Sequence, residues 1–315
     1  MSSDDFASFD LAAFEGAQGQ DRRAKARKID EICRSTGFLV LHGHGVPDAT
    51  VKGVWTAAQN FFAQSPEQKR RVAAPYPGYP YGYLGPNAEA LAKSKGEDTP
   101  PDLKESFNGG PLTTPATITD PDALAFCYQP TLWPDLPGFR AAWETYYAAM
   151  EALAGRIMAA FAAALNLPDT YFQPYISAPI SALRALNYPA TTTVPLDKQQ
   201  RAGAHTDYGS LTILKPQPGS QGLQIARDGA WIDVPAPEHA FVINIGDLMA
   251  RWTADRWVST LHRVVAKPDQ PARQSLAFFH QPNWGAEITP LDGSNTYPPV
   301  RSGPYLMAKF RATGA

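Results

Sequence analysis

The sequence predicts a mainly β protein with a helical N-terminal region, in which a jelly-roll core is flanked by helices. From about residue 180 onward, short apolar or alternating segments follow one another, and Gly, Pro, Asp or Asn turns separate most of them. No helix-length pattern interrupts this series, which favours two packed sheets because that arrangement limits exposed strand edges. Periodicity alone does not distinguish a β-sandwich from a barrel. The predicted strands cover residues 182–188, 211–214, 222–226, 230–234, 240–245, 258–264 and 274–280.

Three regions precede these strands. Residues 20–74 have helical patterning, with one short strand at 37–41. Residues 75–136 contain Pro or Gly at almost every turn, so we expect a loop-rich segment. Part of it is expected to cover a substrate, because long irregular loops in compact domains are often functional; a plain surface connection is the alternative. Residues 138–165 are rich in Ala, Leu and Met at helical spacing and predict one long helix.

Composition narrows the class of protein. A net charge of −2 over 315 residues argues against a nucleic-acid-binding surface. Cys33 and Cys127 are the two cysteines, which give no disulfide framework and fit a reducing compartment. The acidic residues 1–5 lack the pattern of a secretory signal, and the most apolar stretch, 148–167, contains charged residues. We therefore expect a cytoplasmic monomer with no membrane or nucleic-acid partner.

The motif His205-Thr206-Asp207, followed downstream by His262, predicts a metal site. In an extended segment, residues two apart point to the same side, so His205 and Asp207 can bind one ion. Two imidazoles and one carboxylate form the facial triad that holds non-haem Fe(II) and leaves coordination positions open. Taken alone, each of these residues is more often a capping or half-buried side chain than a metal ligand. Only the three together, in this order, are specific evidence for a metal site.

A second motif, Arg273-Gln274-Ser275, predicts a carboxylate site near this metal, because guanidinium binds carboxylate in a fork. Strand alternation places Ser275 and Phe279 on the same face as Arg273, and Arg184 on the same face as Tyr188. Arg273, Ser275 and Tyr188 can therefore converge on one carboxylate. Phe279 is a candidate for lining a substrate pocket, and ordinary core packing is its alternative.

Arg184 lies on an inward strand face, where an unpaired charge is costly, and the sequence shows no obvious role for it. Either a protein carboxylate pairs with it, or it meets an anionic or polar group of a substrate. Asp247, in Asn244-Ile245-Gly246-Asp247, is expected to cap a turn through side-chain to backbone hydrogen bonds. The remaining histidines are expected to be structural or exposed: His42, His44, His239 and His280.

Taken in order, these motifs resemble the iron- and 2-oxoglutarate-dependent oxygenases of the isopenicillin N synthase type. The resemblance covers most of the chain. Its N-terminal part is carried by residues 29–47, by Phe61-Phe62 and by Lys104-Glu105-Ser106-Phe107. Its C-terminal part is carried by Asn187-Tyr188-Pro189, His205-Thr206-Asp207, Asn244-Ile245-Gly246-Asp247, His262-Arg263-Val264 and Arg273-Gln274-Ser275.

The resemblance implies a double-stranded β-helix core, Fe(II) at His205, Asp207 and His262, and 2-oxoglutarate as cosubstrate. The distal carboxylate of 2-oxoglutarate would meet Arg273, Ser275 and Tyr188. The chain then divides into an N-terminal region (1–136), a long helix with its connection (137–177), the oxygenase core (178–285) and a C-terminal segment (286–315), which form one compact unit.

The implied activity is oxidation of a small organic molecule by O2, with release of succinate and CO2. Hydroxylation is the default; desaturation, ring closure or epoxidation are alternatives. One competing hypothesis is an iron-dependent oxidase of the same family that does not use 2-oxoglutarate, whose Arg273, Ser275 and Tyr188 would hold a carboxylate of the substrate. Another is a catalytically silent small-molecule binding protein. We expect specificity to reside in residues 75–110, in Phe279 and from Trp284 onward, with Tyr81, Tyr83 and Trp284 as an aromatic wall or as packing.

Overall fold

A computed structural model describes residues 6–191 and 193–312. The acidic residues 1–5, on which the expectation about a secretory signal rests, lie outside these ranges. Over the described residues the helices are α1 (Leu11–Glu15), α2 (Gly19–Ser35), α3 (Asp48–Phe62), α4 (Pro66–Arg70), α5 (Pro121–Phe126), α6 (Phe139–Ala164), α7 (Asp247–Trp252) and α8 (Ser302–Ala312). The strands are β1 (Ser8–Asp10), β2 (Phe38–His42), β3 (Gly82–Leu84), β4 (Glu105–Gly109), β5 (Ala182–Tyr188), β6 (Ala202–His205), β7 (Leu211–Pro216), β8 (Leu223–Arg227), β9 (Ala230–Asp233), β10 (Phe241–Ile245), β11 (His262–Val264), β12 (Arg273–His280), β13 (Glu287–Ile288) and β14 (Val300–Arg301).

Two sheets form the core. The large sheet has the order β1-β2-β10-β7-β12-β5-β4-β3, and the small sheet has the order β6-β11-β8-β9. Buried side chains of both sheets pack together: Leu186, Tyr188, Val242 and Ala277 from the large sheet, and Ala202, Leu223, Ile225 and Val264 from the small one. The jelly-roll prediction is therefore confirmed. β13 and β14 form a separate hairpin-like pair.

The large sheet has one face toward the small sheet and one toward the helices. On β12, Leu276 and Phe278 belong to the helix-side core, and the ring of Phe278 meets that of Tyr147 on α6 edge-on at 5.2 Å. Ala277 and Phe279 pack on the opposite, inner face. This confirms the predicted alternation. A functional site between the two sheets would therefore be lined by side chains of the inner face.

Most element boundaries follow the sequence prediction. The first predicted strand is β5, and the long helix at 138–165 is α6, which begins just after Gly138 at positive φ. The predicted strand at 258–264 is shorter, because Val258 N donates to Cys33 O and Thr260 Oγ1 donates to Thr36 O. This part of the segment therefore bonds to the end of α2 and its loop.

The predicted strands did not include β6. Three of its four residues are Ala or Gly. Gly203 permits a close approach, since a Cβ there would lie 2.7 Å from the backbone N of Ala92. Residues 75–136 are also more ordered than expected, because β3 and β4 extend the large sheet beyond β5. The C-terminal helix α8 was likewise not predicted.

Of the two alternatives for Tyr81, Tyr83 and Trp284, packing is the one that their contacts support. The hydroxyl of Tyr83 donates to Glu105, which also accepts from Lys69 Nζ at 2.7 Å. The hydroxyl of Tyr81 donates to the carbonyl of Cys127 at 2.6 Å. Trp284 Nε1 donates to Asp120 Oδ2 at 2.8 Å. These rings are buried and tie loops to the core.

His280 is a buried structural histidine at the end of β12. Its Nδ1 lies 2.8 Å from Ser210 Oγ, and burial lowers its pKa from 6.5 to about 4. Between these two pH values the unfolded chain binds more protons at this site than the folded one, so stability falls as the pH falls from 6.5 toward 4.

We predict that, because of His280, the free energy of unfolding decreases by about 1.4 kcal/mol for each unit by which the pH falls within this window. Urea unfolding of the wild type and of His280→Gln, at neutral pH and in mild acid, measures it; the variant should lose this part of the slope. His239→Gln is the control, since His239 is 73% exposed. Equal slopes for the wild type and His280→Gln would contradict the assignment.

Among the described residues, we find no helix with both the length and the apolar character needed to cross a bilayer.

Candidate metal centre and cosubstrate site

The three predicted metal ligands meet at the edge of the small sheet. His205 ends β6, His262 begins β11, and the two residues are direct partners in the antiparallel pairing of these strands. Asp207 follows two residues after His205. One ligand atom from each residue lies within 4.8 Å of the other two. Among the described residues, this is the one cluster of His, Cys, Asp or Glu with such spacing.

Backbone carbonyls fix the orientation of both imidazoles. His205 Nδ1 donates to Gly203 O at 2.7 Å, and His262 Nδ1 donates to Thr260 O at 3.0 Å. Because each Nδ1 carries the proton, each Nε2 has a free lone pair for a metal. The two Nε2 atoms lie 3.9 and 3.8 Å from Asp207 Oδ1.

The second oxygen of Asp207 is held by two residues whose role the sequence reasoning missed. Thr212 Oγ1 donates to Asp207 Oδ2 at 2.6 Å, and Asn244 Nδ2 donates to the same atom at 2.7 Å. Thr212 and Asn244 are register partners on β7 and β10, so the large sheet positions this carboxylate. The available signal was strand parity, which points both side chains inward.

The role predicted for Asp247 is wrong. Gly246 is the N-cap of α7, and the carboxylate of Asp247 accepts instead from Ser259 Oγ at 2.7 Å and Lys309 Nζ at 2.9 Å. Its backbone N–H donates to Asp207 O at 2.7 Å. The motif that ends in Asp247 thus contributes Asn244 to the site and a backbone donor behind the ligand.

The electrostatics favour the metal-binding forms of His205 and Asp207. Burial, followed by the proximity of His262, lowers the pKa of His205 to about 3. Burial opposes ionisation of Asp207, but the neighbouring His262 and His205, with the bonds from Asn244 and Thr212, lower its pKa overall. A neutral imidazole and an ionised carboxylate are the forms that bind a metal, so protons do not compete strongly near neutral pH.

Thr212→Val tests the support of the carboxylate, because it keeps the side-chain shape and removes the hydroxyl. Loss of such a supporting bond typically weakens metal affinity about 10- to 100-fold. We expect a fall in Fe(II) affinity of this size, measured by anaerobic calorimetry, with the fold unchanged by circular dichroism. Thr56→Val, at an exposed position on α3, is the control. An unchanged affinity would show that Thr212 does not support the ligand.

The predicted carboxylate site contains a buried cation without an anionic partner among the described residues. Arg273 is 4% exposed, and its guanidinium carbon lies 4.9 Å from the ring centre of Tyr188, its register partner on β5. Arg273 Nη1 donates to Gln221 O at 3.3 Å. Arg273 Nε and Ser275 Oγ are buried and have no hydrogen-bond partner within the described ranges. A buried guanidinium needs a partner, so the residues present fit a carboxylate of 2-oxoglutarate.

Phe279 lies on the inner face, where the sequence placed it. It is partly buried, and its register partner on β7 is Thr212, which donates to Asp207 of the candidate metal cluster. Phe279 is therefore close to the metal motif on the large sheet.

Arg184 is also on the inner face, but its charge is compensated. Its Nη1 lies 3.0 and 3.1 Å from the two carboxylate oxygens of Glu89. The alternative in which Arg184 binds an anionic substrate required an unpaired guanidinium, and that condition is not met. Glu89 lies in the segment predicted to be loop-rich, and nothing in the local sequence marked it as the partner.

Two family profiles match this chain. A profile of the 2OG-Fe(II) oxygenase superfamily matches residues 180–282, and a profile of the N-terminal region of non-haem dioxygenases, described for morphine synthesis, matches residues 7–136. A validamycin A dioxygenase of Streptomyces hygroscopicus subsp. limoneus is 33% identical over 95% of this chain and 84% of its own length. The chain belongs to the 2OG-Fe(II) oxygenase superfamily.

This oxygenase has further relatives of the same kind. A 2-oxoglutarate-dependent dioxygenase of Penicillium crustosum is 32% identical over 86% of this chain and 83% of its own length. A full-length Neurospora crassa protein, whose crystal structure was solved in complex with alpha-KG, is 29% identical, with a TM-score of 0.84, covering 97% of this chain and 95% of that one. The oxygenase accordingly uses Fe(II), 2-oxoglutarate and O2 to oxidise a small organic molecule.

Proposed function

We propose that this oxygenase hydroxylates a small organic substrate, with Fe(II) held by His205, Asp207 and His262 and the distal carboxylate of 2-oxoglutarate held by Arg273, Ser275 and Tyr188. The observation that supports this best is the combination of three clustered ligand atoms with a buried, unpaired guanidinium on the inner sheet face. A catalytically silent binding protein has no need of the metal cluster.

When bound, Fe(II) and 2-oxoglutarate supply oxygen activation and oxidation of a substrate C–H bond, with release of succinate and CO2. The protein supplies orientation. His205, Asp207 and His262 would hold the metal through two imidazole nitrogens and one carboxylate oxygen. Thr212 and Asn244 keep the carboxylate of Asp207 in place through its second oxygen.

Arg273 and Ser275 would donate to the cosubstrate carboxylate, with the ring of Tyr188 covering the guanidinium. This excludes water and strengthens the ion pair. Phe279, on the same strand and face, would contact the substrate. No protein acid–base pair is required for this chemistry.

Substrate-stimulated release of succinate tests the proposal. Three compounds that go with similar proteins are the first to try. They are validamycin A, homoarginine, from a homoarginine-6-hydroxylase of Oryza sativa subsp. japonica, and thymine, from a complex of the Neurospora crassa protein. We expect stimulation that requires both Fe(II) and 2-oxoglutarate. Substrate oxidation and O2 consumption without 2-oxoglutarate would instead support the oxidase alternative, in which the Arg273 site holds a substrate carboxylate.

We also propose that the protein is a cytoplasmic monomer that folds as one compact unit and binds no nucleic acid. The near-neutral net charge and the packing of both sheets into one core support this. Light scattering on the purified protein measures the mass, and a stable dimer would contradict it.

A further inference from the structure

We propose that Arg201 is a second cationic residue of the cosubstrate site, which positions Tyr188 and Arg273 and makes the site select a 2-oxo acid with a second carboxylate. This inference rests on the proposed function, which assigns Tyr188, Arg273 and Ser275 to the distal carboxylate of 2-oxoglutarate. Arg201 acts on that carboxylate through its two neighbours and through its charge, so it is a positioning residue.

Arg201 is anchored between the two strands that carry the histidines of the metal cluster. It directly precedes β6, at whose end His205 lies. Its backbone N–H donates to Val264 O at 2.9 Å, at the end of the strand that His262 begins. Arg201 is 2% exposed, so the donors of its side chain need partners inside the protein.

The guanidinium of Arg201 binds the backbone beside Tyr188 and Arg273. Its Nη2 donates to Pro189 O at 2.9 Å and to Pro271 O at 2.7 Å. Pro189 directly follows Tyr188 at the end of β5, and Pro271 lies two residues before Arg273 at the start of β12. Tyr188 and Arg273 are register partners. Arg201 therefore helps to fix the backbone from which both side chains project.

The charge of Arg201 has no carboxylate partner within the described ranges. Its other acceptors are Gln270 O at 3.4 Å and Thr191 Oγ1 at 3.5 Å, which are neutral. Its Nε is buried and has no hydrogen-bond partner among the described residues. Burial, followed by the positive charge of Arg273, lowers the pKa of Arg201. Two buried guanidiniums are therefore near enough to repel each other.

A bound anion would relieve this repulsion. Arg273 Nε and Ser275 Oγ are also buried without a partner in the part of the chain that the structure describes. A carboxylate that accepts from Arg273 and Ser275 would be attracted by both guanidiniums, because charges interact more strongly in a buried site than in water. A neutral group in the same place would leave both cations uncompensated. The site should therefore favour a distal carboxylate over a distal amide.

The test is anaerobic calorimetry of 2-oxo acids binding to the Fe(II)-loaded protein, which needs no organic substrate. The probes are 2-oxoglutarate and 2-oxoglutaramate, in which a neutral carboxamide replaces the distal carboxylate. Arg201→Gln keeps a donor for one carbonyl and removes the charge. We expect it to weaken binding of 2-oxoglutarate about tenfold, to weaken that of 2-oxoglutaramate less than about threefold, and to leave Fe(II) affinity unchanged.

Arg201→Lys is the conservative variant. The lysine ammonium keeps the charge and has three donors, so it can serve separate carbonyls without a planar fork. We expect it to bind 2-oxoglutarate within about threefold of the wild type, whereas Arg273→Lys should bind it at least about tenfold more weakly. Arg227→Gln, on β8 and 38% exposed, is the control and should bind both probes like the wild type.

Wild-type affinity of Arg201→Gln for 2-oxoglutarate would overturn this inference. So would an equal loss for the two probes, since that is the result of a purely structural arginine. If Arg201→Gln does not fold, as judged by circular dichroism, Arg201→Met takes its place, and failure of both to fold would also overturn the inference. Failure of the proposed function gives a different result, because Arg273→Lys would then bind 2-oxoglutarate as tightly as the wild type.

Discussion

Asp207→Ala is expected to abolish both Fe(II) binding and turnover while the fold stays intact. Asp207 is the one anionic member of the metal cluster, and it lies 3.9 and 3.8 Å from the Nε2 atoms of the two histidines. Two neutral imidazoles alone make a weak site for Fe(II), so the loss in metal affinity should exceed that of any supporting residue. Anaerobic calorimetry with Fe(II) and a succinate assay measure the two effects.

His262→Ala should behave in the same way, because it removes the ligand contributed by β11. Asp197→Ala is a suitable control, since Asp197 is exposed in the loop before β6. Full activity of Asp207→Ala would eliminate the iron assignment. An effect of His262→Ala on thermal stability alone, with Fe(II) affinity preserved, would count against His262 as a ligand.

Arg273→Lys carries the second large effect. Lysine keeps the positive charge but has no planar fork, so it cannot reproduce a bidentate contact with a carboxylate. A lost charge-assisted hydrogen bond is worth roughly 1.5–3 kcal/mol, or about ten- to a hundredfold in binding. We therefore expect the KM for 2-oxoglutarate to rise by that factor while Fe(II) affinity changes little.

Arg227→Lys, on β8 and 38% exposed, is the matched control for this substitution. Equal KM values for 2-oxoglutarate in the wild type and in Arg273→Lys would show that Arg273 does not bind the cosubstrate. If Arg273→Lys instead raised the KM for the organic substrate alone, the oxidase alternative would gain support.

The sequence predicts the parts of this protein that depend on short-range pattern. Alternation located β5 and β12 and assigned their faces, and the spacing of His205 and Asp207 located two members of the candidate metal cluster. Side-chain direction follows from backbone geometry in a strand, so no tertiary information was needed.

Partners that are distant along the chain could not be predicted in the same way. Glu89 lies 95 residues from Arg184, and Asn244 lies 37 residues from Asp207. Neither pairing has a local pattern, because each is set by how strands and loops come together in three dimensions. The 3₁₀ segment Leu91–Lys95 and β6 were missed for a related reason: they meet at Ala92 and Gly203 by close backbone approach, which leaves no periodic signal.

The arrangement of the metal cluster affects how long the protein stays folded. His205 pairs with His262, and the large sheet bonds to Asp207. The imidazoles belong to the small sheet, whereas the carboxylate is held by Thr212 and Asn244 of the large one. An ion bound to all three would join β6 and β11 to a carboxylate that the large sheet holds by two hydrogen bonds. Separating the sheets would break these bonds and remove the support of one of the three side chains, so metal binding and sheet packing should stabilise each other. Iron-loaded protein should thus unfold more slowly and resist proteolysis longer than iron-free protein, so that iron supply would govern how long the enzyme persists as well as whether it works.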